Sequence, residues 1–189
     1  MQKKTLNSLF LCGTALVVSL FTFGCSKDPA SPPENESETI TTVRFRLVQT
    51  DDTTRVFQAQ WRDLDGEGGN PPAITGFSNL PSNKTFSGSI QVLDETKSPV
   101  EDITEEIEEE DDEHQFFYIV SGSSLTLQYD DADSNGKPVG LKTRVATGST
   151  SSGTLRIVLK HEATKNNTIS VPSTDGETDF DIVIPVVIQ

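Results

Sequence analysis

Two histidines, His114 and His161, are the only imidazoles in this 189-residue chain, and each has a glutamate beside it, Glu113 and Glu162. His114 continues the face of Phe116, Tyr118 and Val120 at the start of one alternating run. His161 continues that of Leu155, Ile157 and Leu159 at the end of another. Where two such strands pair antiparallel, the start of one meets the end of the other. Two imidazoles with a carboxylate would then suit zinc or copper. No close histidine spacing enforces that meeting, so two strand-end histidines making ordinary hydrogen bonds is the competing reading.

A second candidate is Asp131-Ala132-Asp133-Ser134-Asn135-Gly136. Alternate oxygen side chains of Asp131, Asp133 and Asn135 can converge on one calcium ion while the glycine permits the turn between them. The full pattern puts a bidentate acid at the twelfth position, where this chain has Lys142. A calcium site here would need an acid from elsewhere, and a polar hairpin loop is the alternative. Asp63-Leu64-Asp65-Gly66-Glu67 is a second acidic, glycine-containing loop with the same two readings. Calcium and zinc are therefore the cofactors the sequence admits.

The third feature is a run of acids. Ten of the thirteen residues from Glu101 to Glu113 are carboxylates, densest over Glu105, Glu106, Glu108, Glu109, Glu110, Asp111 and Asp112. Such a run is either a solvated face that guards strand edges, or a patch that collects cations or docks a basic partner. Carboxylates without geometric constraint bind ions weakly, so the run by itself argues for no tight site. Catalytic constellations are missing: there is no glycine-flanked serine elbow, phosphate-cradling loop or zinc-protease histidine pair. The chain is read as non-enzymatic.

The elements that would position these residues are strands. Val43, Phe45 and Leu47 alternate with Arg44 and Arg46, and Phe57, Ala59 and Trp61 alternate with Gln58 and Gln60. Phe86 to Val92, Leu125 to Tyr129 and Leu155 to Leu159 repeat the pattern, and Phe180 to Ile188 is apolar on both faces in places. Period-two runs separated by Gly, Pro, Asn, Asp and Ser clusters predict an all-β fold. The expectation is a single antiparallel β-sandwich of about nine strands, immunoglobulin-like with Greek-key connections. Pro185 suggests an edge or bulge in the last strand. One segment breaks the pattern: Ile103 and Ile107 fall on one face of a short acidic helix that Asp102 or Thr104 can cap.

The start of the chain speaks to location. Lys3 and Lys4 precede an apolar run from Leu9 to Phe23, too short to span a bilayer comfortably and ending in Gly24-Cys25. Thr22-Phe23-Gly24-Cys25 resembles a bacterial lipobox, with Thr22 where an aliphatic residue is usual. Residues 1–24 are read as a lipoprotein signal peptide, residues 25–39 as the lipidated Cys25 with a flexible spacer, and residues 40–189 as the β-sandwich domain. Ser26 after the cysteine favours the outer membrane, and Lys27-Asp28 resembles a weak surface-export tag. Cleavage takes the 15 basic residues to 13 against 29 acidic ones, a net charge of −16. That balance argues against nucleic acid and for cations or basic partners. With Cys12 discarded and Cys25 acylated, no disulfide remains to staple the domain.

Four stretches together resemble one family: EDITEEIEEEDDEHQFFY (101–118), DADSNGKPVGL (131–141), GTLRIVLKHE (153–162) with the later Lys165, and GETDFDIVIPVVIQ (176–189). They resemble small outer-membrane lipoproteins of flavobacterium-like bacteria often labelled "type 1 periplasmic binding fold superfamily protein". The resemblance implies a tethered, ligand-binding lipoprotein, and as a partner a TonB-dependent receptor in the same membrane. A two-lobed α/β periplasmic binding fold needs repeated helices and roughly twice this length. The strand periodicity points to the sandwich instead.

Overall fold

A computed structural model describes residues 38–66 and 68–189. The signal peptide, Cys25 and most of the spacer lie outside the described residues. Among the described residues, no helix is long and apolar enough to cross a membrane.

The described residues form eleven strands and one helix: β1 Thr42–Gln49, β2 Val56–Arg62, β3 Ala73–Thr75, β4 Phe77–Leu80, β5 Thr85–Asp94, β6 Glu101–Asp102, α1 Ile103–Glu109, β7 His114–Ser121, β8 Leu125–Tyr129, β9 Lys142–Thr147, β10 Ser151–His161 and β11 Glu177–Ile188. The larger sheet runs β3-β2-β1-β5-β9-β8, with β6 paired to β5, and the smaller runs β4-β11-β10-β7. The all-β sandwich expected from the alternation is what forms. Eleven form where about nine were expected; β3, β4 and β6, of three, four and two residues, are too short for periodicity to register. All pairings are antiparallel except β4 with β11, which is parallel. Along the larger sheet the order β5-β1-β2-β3 places the returning strand beside the first, the arrangement of a Greek key.

The inward residues of each alternating run meet between the sheets. Phe45, Phe86, Phe116, Leu155, Ile157 and Ile184 are fully buried there. Phe45 of the larger sheet lies 5.4 Å from Tyr118 of the smaller, ring centre to ring centre. Each such side chain contributes about 1.5–3 kcal/mol by leaving water. Tyr118 keeps its hydroxyl satisfied by donating to the Gly140 carbonyl at 2.6 Å.

Strand β11 is internal, and β4 joins it only from Val186 onward, so the donor missing at Pro185 falls at the margin of that pairing. Strand β7 is an edge, and two loops cover it. Phe116 N–H donates to the Val139 carbonyl and Tyr118 N–H to the Ile169 carbonyl. That pairing leaves less of the edge open to another chain.

Helix α1 is shorter than the acid run. Glu101 and Asp102 belong to β6, and the Asp102 side chain accepts from Thr104 N–H as the N-cap. Ile103 and Ile107 are buried while Glu105, Glu106, Glu108 and Glu109 face water. The helix stops at Glu109, where acids accumulate against the negative end of its dipole.

Candidate functional site

The centre of the site is built by register. Strands β7 and β10 pair antiparallel so that His161 lies directly opposite His114. Their rings stack with centroids 4.4 Å apart and planes 8° from parallel. His114 is 1% exposed, whereas the His161 side chain keeps 12% of its surface.

The turn after α1 delivers the acids. Glu113 N–H and His114 N–H both donate to the Glu110 carbonyl, which closes the turn between helix and strand. The same carbonyl lies 3.1 Å from His114 Nδ1. A carbonyl only accepts, so Nδ1 carries the hydrogen and Nε2 of the neutral ring holds the lone pair. Burial pushes the His114 pKa down, with the neighbouring imidazole adding to the effect, so this ring is neutral at pH 7.

On the other strand, Glu162 N–H donates to the Glu113 carbonyl at 2.9 Å. Glu162 leaves β10 with φ +49°, a left-handed conformation uncommon for a residue with a Cβ. Gly176 makes room behind it: a Cβ there would stand 2.4 Å from the His161 carbonyl oxygen. His161 Nε2 lies 3.5 Å from a Glu113 carboxylate oxygen.

Two overlapping groups of ligand atoms result. One atom from each of Glu110, His114 and His161 lies within 4.8 Å of the others, and the same holds for Glu113, His161 and Glu162. Around a tetrahedral zinc ion at about 2.0–2.1 Å, ligand atoms stand roughly 3.4 Å apart. Closing the difference takes swings of the exposed glutamates and a turn of one imidazole out of the stack. The four residues the sequence singled out divide between these groups: Glu113, His161 and Glu162 stand in one, and His114 joins His161 in the other.

Three further acids were not singled out as neighbours of the histidines. Glu110 was read only as part of the acidic patch, although its i, i+4 spacing to His114 was visible. Glu38 had been assigned to the spacer. It lies within the fold, half-buried, with its pKa raised to about 7 by burial and by the charges of Glu106, Asp179 and Glu110. Asp179 follows the register shift between β10 and β11 at Leu159/Lys160. Burial raises its pKa too, against the opposing pull of His114 and His161. Among the described residues, the buried carboxylate oxygens with no hydrogen-bond partner are Glu38 Oε2 and Asp179 Oδ2. Asp179 stands in the field of both histidines, and Glu38 in that of His161.

The calcium reading of Asp131, Asp133 and Asn135 is corrected. Asp131 accepts from Gly140 N–H and Lys142 N–H, and Asp133 accepts from Asn135 N–H and Lys137 N–H. The remaining Asp133 oxygen binds the Lys165 ammonium at 2.8 Å, with both side chains almost wholly buried. The loop spends its carboxylates on its own backbone, and a lysine stands where a cation would. Asp63 and Asp65 likewise bind Gly66 and Asn70. The two loops line different grooves, so they share no ion.

No protein-family model, no curated protein and no solved structure matches the chain. What fold and site define is a β-sandwich with a stacked histidine pair ringed by carboxylates at one corner of its smaller sheet.

Proposed function

We propose that this chain is a non-enzymatic, lipid-anchored outer-membrane protein that binds a divalent transition metal, for which zinc is the simplest probe, and holds it for a receptor in the same membrane. What carries the reading is two ligand groups that share His161, one with His114 and Glu110 and one with Glu113 and Glu162. Imidazole nitrogen with carboxylate oxygen is the donor set that zinc and copper accept and that calcium disfavours. The His114 Nδ1 bond to the Glu110 carbonyl orients one ligand ring before any ion arrives. The anchor and the TonB-dependent receptor rest on Cys25 and on the family resemblance.

The rival reading is an interaction protein whose helix α1 docks a basic partner. It draws on Glu105, Glu106, Glu108 and Glu109, all exposed and none in an ion pair with a described lysine or arginine. Elemental analysis and thermal melts of the purified chain, with chelator, zinc and calcium in turn, separate the two. A metal that binds only the folded state raises the melting temperature. A metal-free protein whose melt ignores all three additions supports the docking reading alone.

A further inference from the structure

The outward face of the larger sheet has a charge opposite to that of the chain, whose net charge is −14. Strands β1, β2, β8 and β9 contain no acidic residue, although the chain has 29, and they carry Arg44, Arg46, Arg62, Lys142 and Arg144. Alternation turns these cations away from the core, into which Val43, Phe45, Leu47, Ala59 and Val145 of the same strands are buried.

Register sets the outward residues in rows. Gln58, Arg46, Ser89 and Lys142 lie opposite one another across β2, β1, β5 and β9. The next row places Ser87, Arg144 and Gln128 on β5, β9 and β8. Neighbouring strands are about 4.8 Å apart, so Arg46 and Lys142 leave the sheet about 10 Å from each other with Ser89 between them.

Not all of this charge is free. Glu95 takes both Arg44 and Arg62, and Arg144 reaches Asp130 in an exposed pair, which is weak enough to be exchanged. Among the described residues, Arg46 and Lys142 enter no ion pair, and both are exposed. A groove of about 390 Å³ sets Arg46, Gln58 and Ser89 against Glu105 and Glu108 of α1, and one of about 300 Å³ sets Lys142 against Glu108, Asp111 and Asp131. These acids close the face on the α1 side, so an anion is steered toward Ser87, Arg144 and Gln128.

The neighbours of the two free cations decide what kind of anion fits. Gln58, Gln128, Ser87 and Ser89 are exposed amides and hydroxyls, donors and acceptors that suit a ligand rich in hydroxyl groups. The aromatic rings of these strands, Phe45, Phe57, Trp61, Phe86 and Tyr129, all fall on the inward alternation, so the face has no ring on which a nucleic-acid base would stack. A flat, ring-free array of cations, amides and hydroxyls matches a chain of acidic sugars.

We propose that this face binds an anionic polysaccharide, with Arg46, Lys142 and Arg144 on its acid groups and Gln58, Ser89 and Gln128 on its hydroxyls. None of the metal-site candidates takes part, and chelator in every titration keeps the two readings apart.

Calorimetric titration of the purified chain at low ionic strength tests it, with dextran sulfate and polygalacturonate as sulfate and carboxylate probes. Neutral dextran is the uncharged comparison and single-stranded DNA the rival polyanion. The expected result is saturable binding of at least one acidic polysaccharide, weakened by added salt, and none of dextran. The probe that binds tells sulfate esters from uronic acids. Arg46→Gln with Lys142→Gln should weaken binding about tenfold or more, through lost charge-assisted bonds at two exposed positions. Lys97→Gln, an exposed cation in the loop after β5, should leave it within about twofold. The proposal is overturned by no binding of either acidic polysaccharide, by unchanged binding in the folded double variant, by an equal loss in Lys97→Gln, or by DNA binding as tight as the polysaccharide. The comparison of acidic with neutral polysaccharide and DNA decides the matter on the parent chain even if the double variant fails to fold.

Discussion

The imidazoles of His114 and His161 lie face to face, 4.4 Å between ring centres, because antiparallel register sets the first residue of β7 opposite the last of β10. Burial keeps His114 neutral, so its Nε2 offers a lone pair. The lone pairs of parallel rings do not converge, so a shared transition metal requires one imidazole to turn as it binds. Zinc at about a hundredfold over its dissociation constant should stabilise the fold by about 2.7 kcal/mol. For a domain of this size that corresponds to a rise of roughly 5–10 °C in the melt. Calcium at the same concentration should shift the melt by less than 1 °C, roughly, because imidazole nitrogen is a poor calcium ligand. Scanning calorimetry with each ion checks the contrast, and a larger shift with calcium than with zinc counts against the donor set described.

The Lys165–Asp133 pair should matter more than its position in a loop suggests. Lys165 also donates to the Asp111 carbonyl, so one ammonium ties the β10–β11 loop to the calcium-like loop and to the turn after α1. Asp133→Asn or Lys165→Met leaves a covered charge alone and should cost about 3 kcal/mol. The double variant should cost clearly less than the sum. Urea unfolding of the three variants tests this, and simple additivity would show that the two groups do not interact.

The same pair sets a pH dependence. Burial opposes ionisation of Asp133, yet the Lys165 ammonium and the backbone N–H donors outweigh it and hold its pKa below the usual 3.8. A carboxyl depressed in the folded state binds fewer protons folded than unfolded. Its contribution is therefore complete above about pH 4 and is lost as pH falls through the lower folded value. Unfolding free energy followed from pH 5 to pH 2 should fall less steeply in Asp133→Asn than in the parent. An identical slope in both would contradict the depressed value.

Helix α1 should respond to its cap and its buried face rather than to its charges. Asp102→Ala removes the bond to Thr104 N–H and should cost about 1 kcal/mol. Ile107→Ala opens a cavity at a fully buried position and should cost about 3 kcal/mol. Glu109→Gln, at an exposed position in the helix's last turn, should be neutral or slightly stabilising. Chemical denaturation ranks the three, and a costly Glu109→Gln would mean that the acid run is structural.

Gly140 shows what the calcium-like loop is for. It has φ +94°, and a Cβ there would stand 2.9 Å from the Phe116 Cβ and 3.0 Å from the Phe116 carbonyl oxygen. Its N–H and carbonyl serve Asp131 and Tyr118. Gly140→Ala should cost about 2 kcal/mol or more, through strain and displacement of β7 together. A melt unchanged by the substitution would contradict this account of the loop.

How far the sequence carried the reading follows from range. Alternation at Val43–Leu47 or Leu155–Leu159 is a local signal, and it delivered the sandwich and its inward faces. The meeting of His114 with His161 was inferable because strand ends and direction suffice to place it. Asp179 was not inferable, since its place beside the histidines depends on the register shift at Leu159/Lys160, which no local pattern announces. Glu38 was hidden by composition: its neighbours Pro, Ser and Glu read as spacer, and only a tertiary contact makes it part of the fold. The Asp131–Asn135 loop misled for a chemical reason. Oxygen side chains at alternate positions serve a calcium ion or their own backbone N–H groups equally well, and Lys165, distant in sequence, decides between them.

The central claim is that His161 belongs to both ligand groups and that the histidine pair is the metal site. Titration calorimetry of zinc into the purified parent chain and into His161→Ala tests it most directly. Saturable binding in the parent that is weakened about a hundredfold or more in the variant is the predicted result. No zinc binding by the parent, or equal binding by a folded His161→Ala chain, would contradict it.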